Sequence, residues 1–374
     1  MFVKQKPKPI CKRALFTLLK IKKMINKKTS NKLNRTVFCS ILVALLPAFI
    51  FAQTNQDSIK LKLDTVQLEK YQAINRNFPL VYPINVQYTY YTPTKMTTKL
   101  LGKDYLNADI RNQQTISTSA NVLLFRKKGF MILNSFEYQH GTMSFQNIDS
   151  ALSKPLSSNI QQNIERAEES NVISNAVNFI CMGKIFERNF ITNLITTVDF
   201  SEHGFERAVG KLVVSVNVKQ NKRTSISLGL IGNTDPTATV PVTPLIAVTY
   251  WINSKWLLDA YMPAYVYARR IYSNNSRLSF GFNMLNGAQA FVHPNVSSGS
   301  TFDFQRGRME IASTYQKVLF SGLTLSAKAG YVINMSGKVF ETYKSDPIIT
   351  LSQKPNVSLN IGLSYNFTPK KKSK

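Results

Sequence analysis

From Asn356 to Phe367 the chain alternates without a break. Val357, Leu359, Ile361, Leu363, Tyr365 and Phe367 hold the odd positions, and Asn356, Ser358, Asn360, Gly362, Ser364 and Asn366 the even ones. An extended strand turns successive side chains to opposite faces, so this segment has one oily side and one wet side and ends on two aromatics. A strand of a soluble sandwich alternates as well. Here the same rhythm recurs through most of the chain and follows an export signal. Together they predict an all-β fold, a transmembrane antiparallel up-and-down β-barrel whose oily faces meet lipid and whose wet faces line a lumen.

The 374 residues carry a formal charge of +27, which by itself would suggest a nucleic-acid binder. The distribution points away from that. Twelve Lys and Arg, from Lys4 to Arg35, fall in residues 1–35 with no acid among them, and Val37–Phe51 is an apolar core followed by Ala52-Gln53. A basic stretch, an apolar core and a small residue at the exit make a signal peptide over 1–52. Its removal takes twelve of the twenty-seven charges and leaves +15. Four more positive charges sit in the tail 368–374, at Lys370, Lys371, Lys372 and Lys374. No nucleic-acid partner is expected. The basic stretch is long for a signal, and a start at Met24 would give an ordinary one. Residues 1–23 are therefore either a mis-assigned start or a tolerated extension.

Cys11 and Cys39 leave with the signal, so Cys181 remains alone and no internal disulfide can form. After the signal no apolar run is long enough for a membrane-spanning helix. Residues 53–79 read as a periplasmic lead and 80–367 as the barrel.

Apolar faces recur at Ile84–Tyr90, Ile116–Leu124, Phe130–Tyr138, Phe190–Phe200, Leu212–Val218, Ile226–Leu230, Leu245–Ile252, Trp256–Ala268, Leu278–Met284, Phe304–Tyr315 and Leu323–Met335. Short turns are expected near 126–129, 185–188, 219–223, 253–255, 286–287 and 317–321. Asn286-Gly287 is the strongest hairpin signal among them. Longer connections are expected at 92–114, 141–171, 201–208, 232–244, 269–276, 295–302 and 336–355. Short turns at the periplasmic end and long loops outside are the outer-membrane arrangement. They join about 14 strands, or 12 if Val172–Met182 and Gln289–Pro294 are not strands. Loop 141–171 has helical character at Ile160–Glu169 and is placed to cap the barrel or fold into it.

The Phe51-Ala-Gln53 exit, the entry through Asn77-Phe-Pro79, and the stretches Pro244–Tyr250 and Trp256–Pro263 resemble uncharacterised outer-membrane β-barrel families of Gram-negative bacteria, domains of unknown function. That resemblance implies the fold and an outer-membrane location, and brings no catalytic or ligand residues. It also implies barrel-assembly machinery that reads the C-terminal strand. Here Phe367 is followed by seven further residues, a departure from chains that end on the aromatic.

Lipid on the oily faces puts Glu137, Asp199, Lys211, Asp259, Arg277, Arg306, Arg308, Glu310 and Lys328 in the lumen. A charge facing hydrocarbon costs roughly 2–4 kcal/mol at mid-membrane, so these must point inward. Arg306, Arg308 and Glu310 alternate on one strand, and Asp259, Tyr261, Tyr265, Tyr267 and Arg269 on another. Such a set either selects a solute by charge or fills the interior with ion pairs, and the near balance of signs favours pairing. The aromatics (23 Phe, 16 Tyr and 2 Trp) suit girdles at the headgroups. The mature chain holds only His140, His203 and His293, and Ser201-Glu202-His203 is a sequence neighbourhood rather than a triad geometry. No metal-ligand spacing and no phosphate cradle or dinucleotide fingerprint is present. The expectation is a non-enzymatic barrel without cofactor, in contact with outer-membrane lipid. It is read first as a passive channel for small solutes, second as a non-conducting accessory barrel that anchors or assists surface proteins. A hydrolase is a distant third.

Overall fold

In a computed structural model of the protein, the structure describes residues 77–79, 81–150, 169–221, 223–238, 240–273, 275–293, 301–320 and 322–367. The segment expected to be a signal peptide, most of the expected lead, residues 160–168 of the stretch expected to be helical, and the basic tail lie outside them.

Sixteen strand segments are described: β1 (Ile84–Tyr91), β2 (Thr94–Leu100), β3 (Lys103–Lys127), β4 (Phe130–Ser150), β5 (Glu169–Ile185), β6 (Arg188–Ser201), β7 (Gly204–Gln220), β8 (Thr224–Asn233), β9 (Val242–Trp251), β10 (Trp256–Met262), β11 (Tyr265–Ser273), β12 (Ser276–Val292), β13 (Phe302–Phe320), β14 (Leu323–Glu341), β15 (Pro347–Gln353) and β16 (Asn356–Tyr365). Neighbours pair antiparallel from β3 to β14. The ring closes through two interrupted strands. β1 pairs with β3 and β16, β2 with β3 and β15, and β14 with both β15 and β16. Counting β1–β2 and β15–β16 as one strand each gives a closed barrel of 14 strands with no free edge.

Exposure follows the predicted faces. On β16, Leu359 and Ile361 are 50% and 54% exposed while Ser358 between its neighbours is 0% exposed. Oily residues outside and polar ones inside is the reverse of a soluble protein and the signature of a lipid-facing wall.

The chain enters and leaves at one end, where the connections are tight. Gly129 and Gly322 take up left-handed φ of 80° and 84° in two of these turns, a region glycine enters without strain. Every connection of more than four residues lies at the other end, the external side of an outer-membrane barrel.

The predicted tally of 14 stands, but two of its members do not. Trp256–Ala268 is two strands: Pro263, with no N–H to donate, and Ala264 form a turn, and Tyr261 pairs with Tyr265 across it. Asn286-Gly287 is no hairpin. β12 runs through it, with Gly287 opposite Arg306, because β13 continues as its partner and overrides the local turn signal. Nor are 92–114 and 336–355 loops. They are strand, and β3 and β4 reach 25 and 21 residues where roughly 9–11 cross a bilayer. The wall around β2–β4 and β13–β15 therefore stands well outside the membrane, whereas β10 has only 7 residues.

That extension has its own core. Met96, Tyr105, Leu106, Ala108 and Ile110 are buried together, with Met143, Phe145 and Leu351 packed against them. The switch is made by irregularities at one level. The inward set changes parity at Thr92-Pro93 between β1 and β2, and at Arg111, the extra residue opposite Phe145 and Ser144. It changes again at Met335 opposite Gly307-Arg308 and at Lys354-Pro355 between β15 and β16. A bulge of one residue turns the following side chains to the other face.

Candidate functional site: the barrel lumen

At the external end side chains of β7 meet those of β13 and of the residues just beyond β12, almost half the ring away. Arg207 lies at the centre. Its Nε donates to Asp199 Oδ2 of β6 (2.9 Å), and its Nη1 donates to Asp303 Oδ2 of β13 (2.9 Å) and Asp235 Oδ2 of the β8–β9 connection (3.2 Å). All four side chains are buried or nearly so. Removing an ion from water costs several kcal/mol unless its hydrogen bonds are replaced, and here they are. Each aspartate gives one oxygen to Arg207 and accepts a hydroxyl on the other, from Ser174, Thr237 or Thr342. The guanidinium also lies 5.6 Å from the Phe291 ring.

Beside this clasp, Glu206 of β7 holds His293 beyond β12 (2.8 Å) and accepts from the Ser201 hydroxyl. The His203 and His293 rings stand 4.3 Å apart, and the Tyr343 hydroxyl accepts from the Ala208 amide. β5 and β12, half the ring apart, also approach within 8 Å between Cα atoms. The lumen is pinched there.

The middle of the barrel holds Glu310, 1% exposed. Its carboxylate takes Lys328 Nζ on one oxygen (2.6 Å) and the Ser358 hydroxyl on the other. Gly330 makes the room, since a Cβ there would come within 2.9 Å of Glu310 Cγ. On the adjoining wall, with β12 between it and β13, Asp259 of β10 pairs with Arg269 of β11 at 2.7 Å. Arg269 also lies 4.9 Å from the Tyr267 ring, and Tyr261, Tyr265 and Tyr267 stack in a ladder. At the periplasmic end Phe78, from the segment that enters the barrel, is buried with Trp251 and Ile271. The Arg277 guanidinium lies 4.5 Å from its ring and donates to Gln316. Between β5 and β8 the periplasmic half keeps a cavity of about 460 Å³ with Lys184, Asn189, Asn217 and Gln220 on its walls.

The predicted lining thus divides. Glu310 and Lys328 pair with each other. Asp199 and Asp259 are also committed, Asp199 to Arg207, which the sequence reading missed, and Asp259 to Arg269 of the same expected inward row. Glu137 points inward beside Asp199, and Lys211, exposed, opposes the inward Ile195; neither has an ion pair among the described residues. Arg308 lies 5.2 Å from the Tyr91 ring. Arg306 is 4% exposed and 5.8 Å from the Phe304 ring, with no carboxylate in ion-pair range among the described residues. A ring face contributes about 0.5–2 kcal/mol to a cation, against several for its desolvation.

Sequence reasoning missed Arg207, Asp235, Asp303 and Glu206. They fall at or beside segments read as loops, and their one visible signal was charge clustered beside predicted strand ends.

A closed ring of alternating strands, oily outside and hydrophilic within, defines an integral outer-membrane β-barrel, and that is the class to which this protein belongs. No family model matches the chain, and no curated protein matches it. Solved structures of similar architecture include an outer-membrane channel from Pseudomonas putida F1, at 9% identity and TM-score 0.33, over 76% of this chain and 97% of that one. The outer-membrane protease OmpT from Escherichia coli is similar at 10% identity and TM-score 0.25, over 78% and 100%. The transport unit of the autotransporter AIDA-I from Escherichia coli follows at 9% and 0.24, over 80% and 97%. One expectation is corrected by these likenesses. The sequence reading expected no enzyme and kept a hydrolase as a distant third; the solved barrels that the chain resembles include a protease, so that expectation does not stand.

Proposed function

We propose that this barrel is a gated path for small hydrophilic solutes, shut at its external mouth by the Arg207 clasp. The observation that carries the reading is the polar interior, which meets the Arg207 clasp at the external mouth. An accessory barrel needs no hydrophilic track, and the 460 Å³ cavity below the pinch has room for a small solute. Lipid surrounds the belt, the assembly machinery engages the strand ending at Phe367, and the chain stands with the uncharacterised barrel families that its entry and its 244–263 stretch resemble.

Planar-bilayer recording of the purified barrel tests this. The wild type should open rarely, and Arg207→Ala combined with Asp303→Asn should give larger and steadier conductance. If both are silent while migrating as folded barrels, the path is closed for other reasons and the accessory role takes its place.

A further inference from the structure

We propose that Arg306 is the anion-binding residue of the lumen, taking a carboxylate or phosphate group. It lies on β13 where the wall of β3–β5 comes closest to β12 and β13. Its guanidinium borders a cavity of about 40 Å³, with Gln113, Gln139, Ser170 and Phe304 among the other walls. A single water needs roughly 10–15 Å³ of such space, so the slot has room for a few waters or one small oxyanion.

Three observations point to an anion. The side chain is 96% buried, since 4% is exposed, and an arginine keeps its charge at any physiological pH. Its titratable neighbours are another cation, Arg308, and the Tyr91 hydroxyl. The acids nearest along β13 are already engaged, Glu310 by Lys328 and Ser358 and Asp303 by Arg207 and Thr342. The remaining wall brings amide and hydroxyl donors from Gln113, Gln139 and Ser170. A planar fork of N–H donors facing amides and a hydroxyl across a narrow slot suits an oxyanion.

The place of this site in transport rests on the lumen being the solute path; the binding itself does not. Titration calorimetry on the folded, detergent-purified full barrel, with acetate, inorganic phosphate and neutral acetamide as probes, separates the two. Saturable binding of acetate, phosphate or both, with none for acetamide, is expected, and the stronger anion identifies the preferred group. Arg306→Gln should weaken it about tenfold or more, and Arg306→Lys less. Gln113→Ala should weaken it several-fold with the cation in place, so the site stays testable if Arg306→Gln does not fold. Lys211→Gln, which removes an exposed lumen charge, should leave affinity within about twofold. Absence of saturable binding to the folded wild type overturns the assignment, as does equal loss in Lys211→Gln. A silent bilayer with intact anion binding removes the path and keeps the site.

Discussion

β3 passes through two solvents and inverts between them. In the extension Leu106, Ala108 and Ile110 point into the barrel and are buried, while Asn107 is exposed on the outside. In the membrane belt Ile116, Val122 and Leu124 point out and are exposed, and Ser117, Ser119 and Asn121 hold the inner face. Every one of those apolar residues has an even number. One extra residue, Arg111, turns the same parity from core to lipid. A wall that must serve water at one height and hydrocarbon at another can change its sequence pattern or its backbone phase, and the two mechanisms stand side by side. β3 changes phase. β4 keeps its phase and changes residues, from Glu137 and Gln139 within the belt to Met143 and Phe145 in the extension.

Deleting Arg111 attacks the contrast most directly. Without the bulge, either Leu106 and Ile110 leave their core or Ile116–Leu124 leave the lipid. Loss of burial costs roughly 1.5–3 kcal/mol for each large aliphatic side chain, so the expected outcome is loss of the heat-modifiable folded species, or a urea midpoint far below that of the wild type. A variant that folds with an unchanged midpoint would show that the bulge does not set the facing.

One charge placed on the outer face at two heights gives the next largest effect. Ile361→Arg puts it against hydrocarbon and should cost about 2–4 kcal/mol. Asn107→Arg puts it in water, where surface changes usually stay within about 0.5 kcal/mol. Urea unfolding in lipid vesicles reads both. Equal costs would mean that the extension, too, is embedded in lipid.

How much of this was legible in the sequence depends on which mechanism a strand uses. β16 could be read residue by residue because its phase never shifts between Asn356 and Tyr365. On β10 and β11 one alternation runs across the turn that the sequence reading missed. Pro263-Ala264 inserts two residues, so Asp259, Tyr261, Tyr265, Tyr267 and Arg269 keep one parity. The extension was lost for the opposite reason. A one-residue bulge breaks period-two bookkeeping, and Lys103–Arg111, with apolar residues facing a core and charges facing water, does not look like a lipid-facing strand. The clasp went unseen with it. Arg207 and Asp303 pair between strands almost half the ring apart, and the pairing of residues ninety-six positions apart is written in no local pattern. Asn286-Gly287 was overread, since a turn signal is local and β13 is not.

The smallest effect separates a packed interior from a fluid one. Ile110 is 1% exposed inside the extension, and Ile361 is 54% exposed on the lipid face. Removing one methyl group from a packed site costs about 0.5–1.5 kcal/mol, because the lost contacts are not replaced. At a lipid-facing site acyl chains move into the gap, so the contacts are restored by the solvent. Ile110→Val should therefore lower the unfolding free energy measurably, and Ile361→Val should lie within experimental error of the wild type. Both keep a β-branched residue on the strand, so propensity does not confound the pair. If Ile361→Val costs as much as Ile110→Val, the outer face of β16 is packed against protein rather than lipid, and the strand that first suggested a membrane would instead mark an interface with another chain.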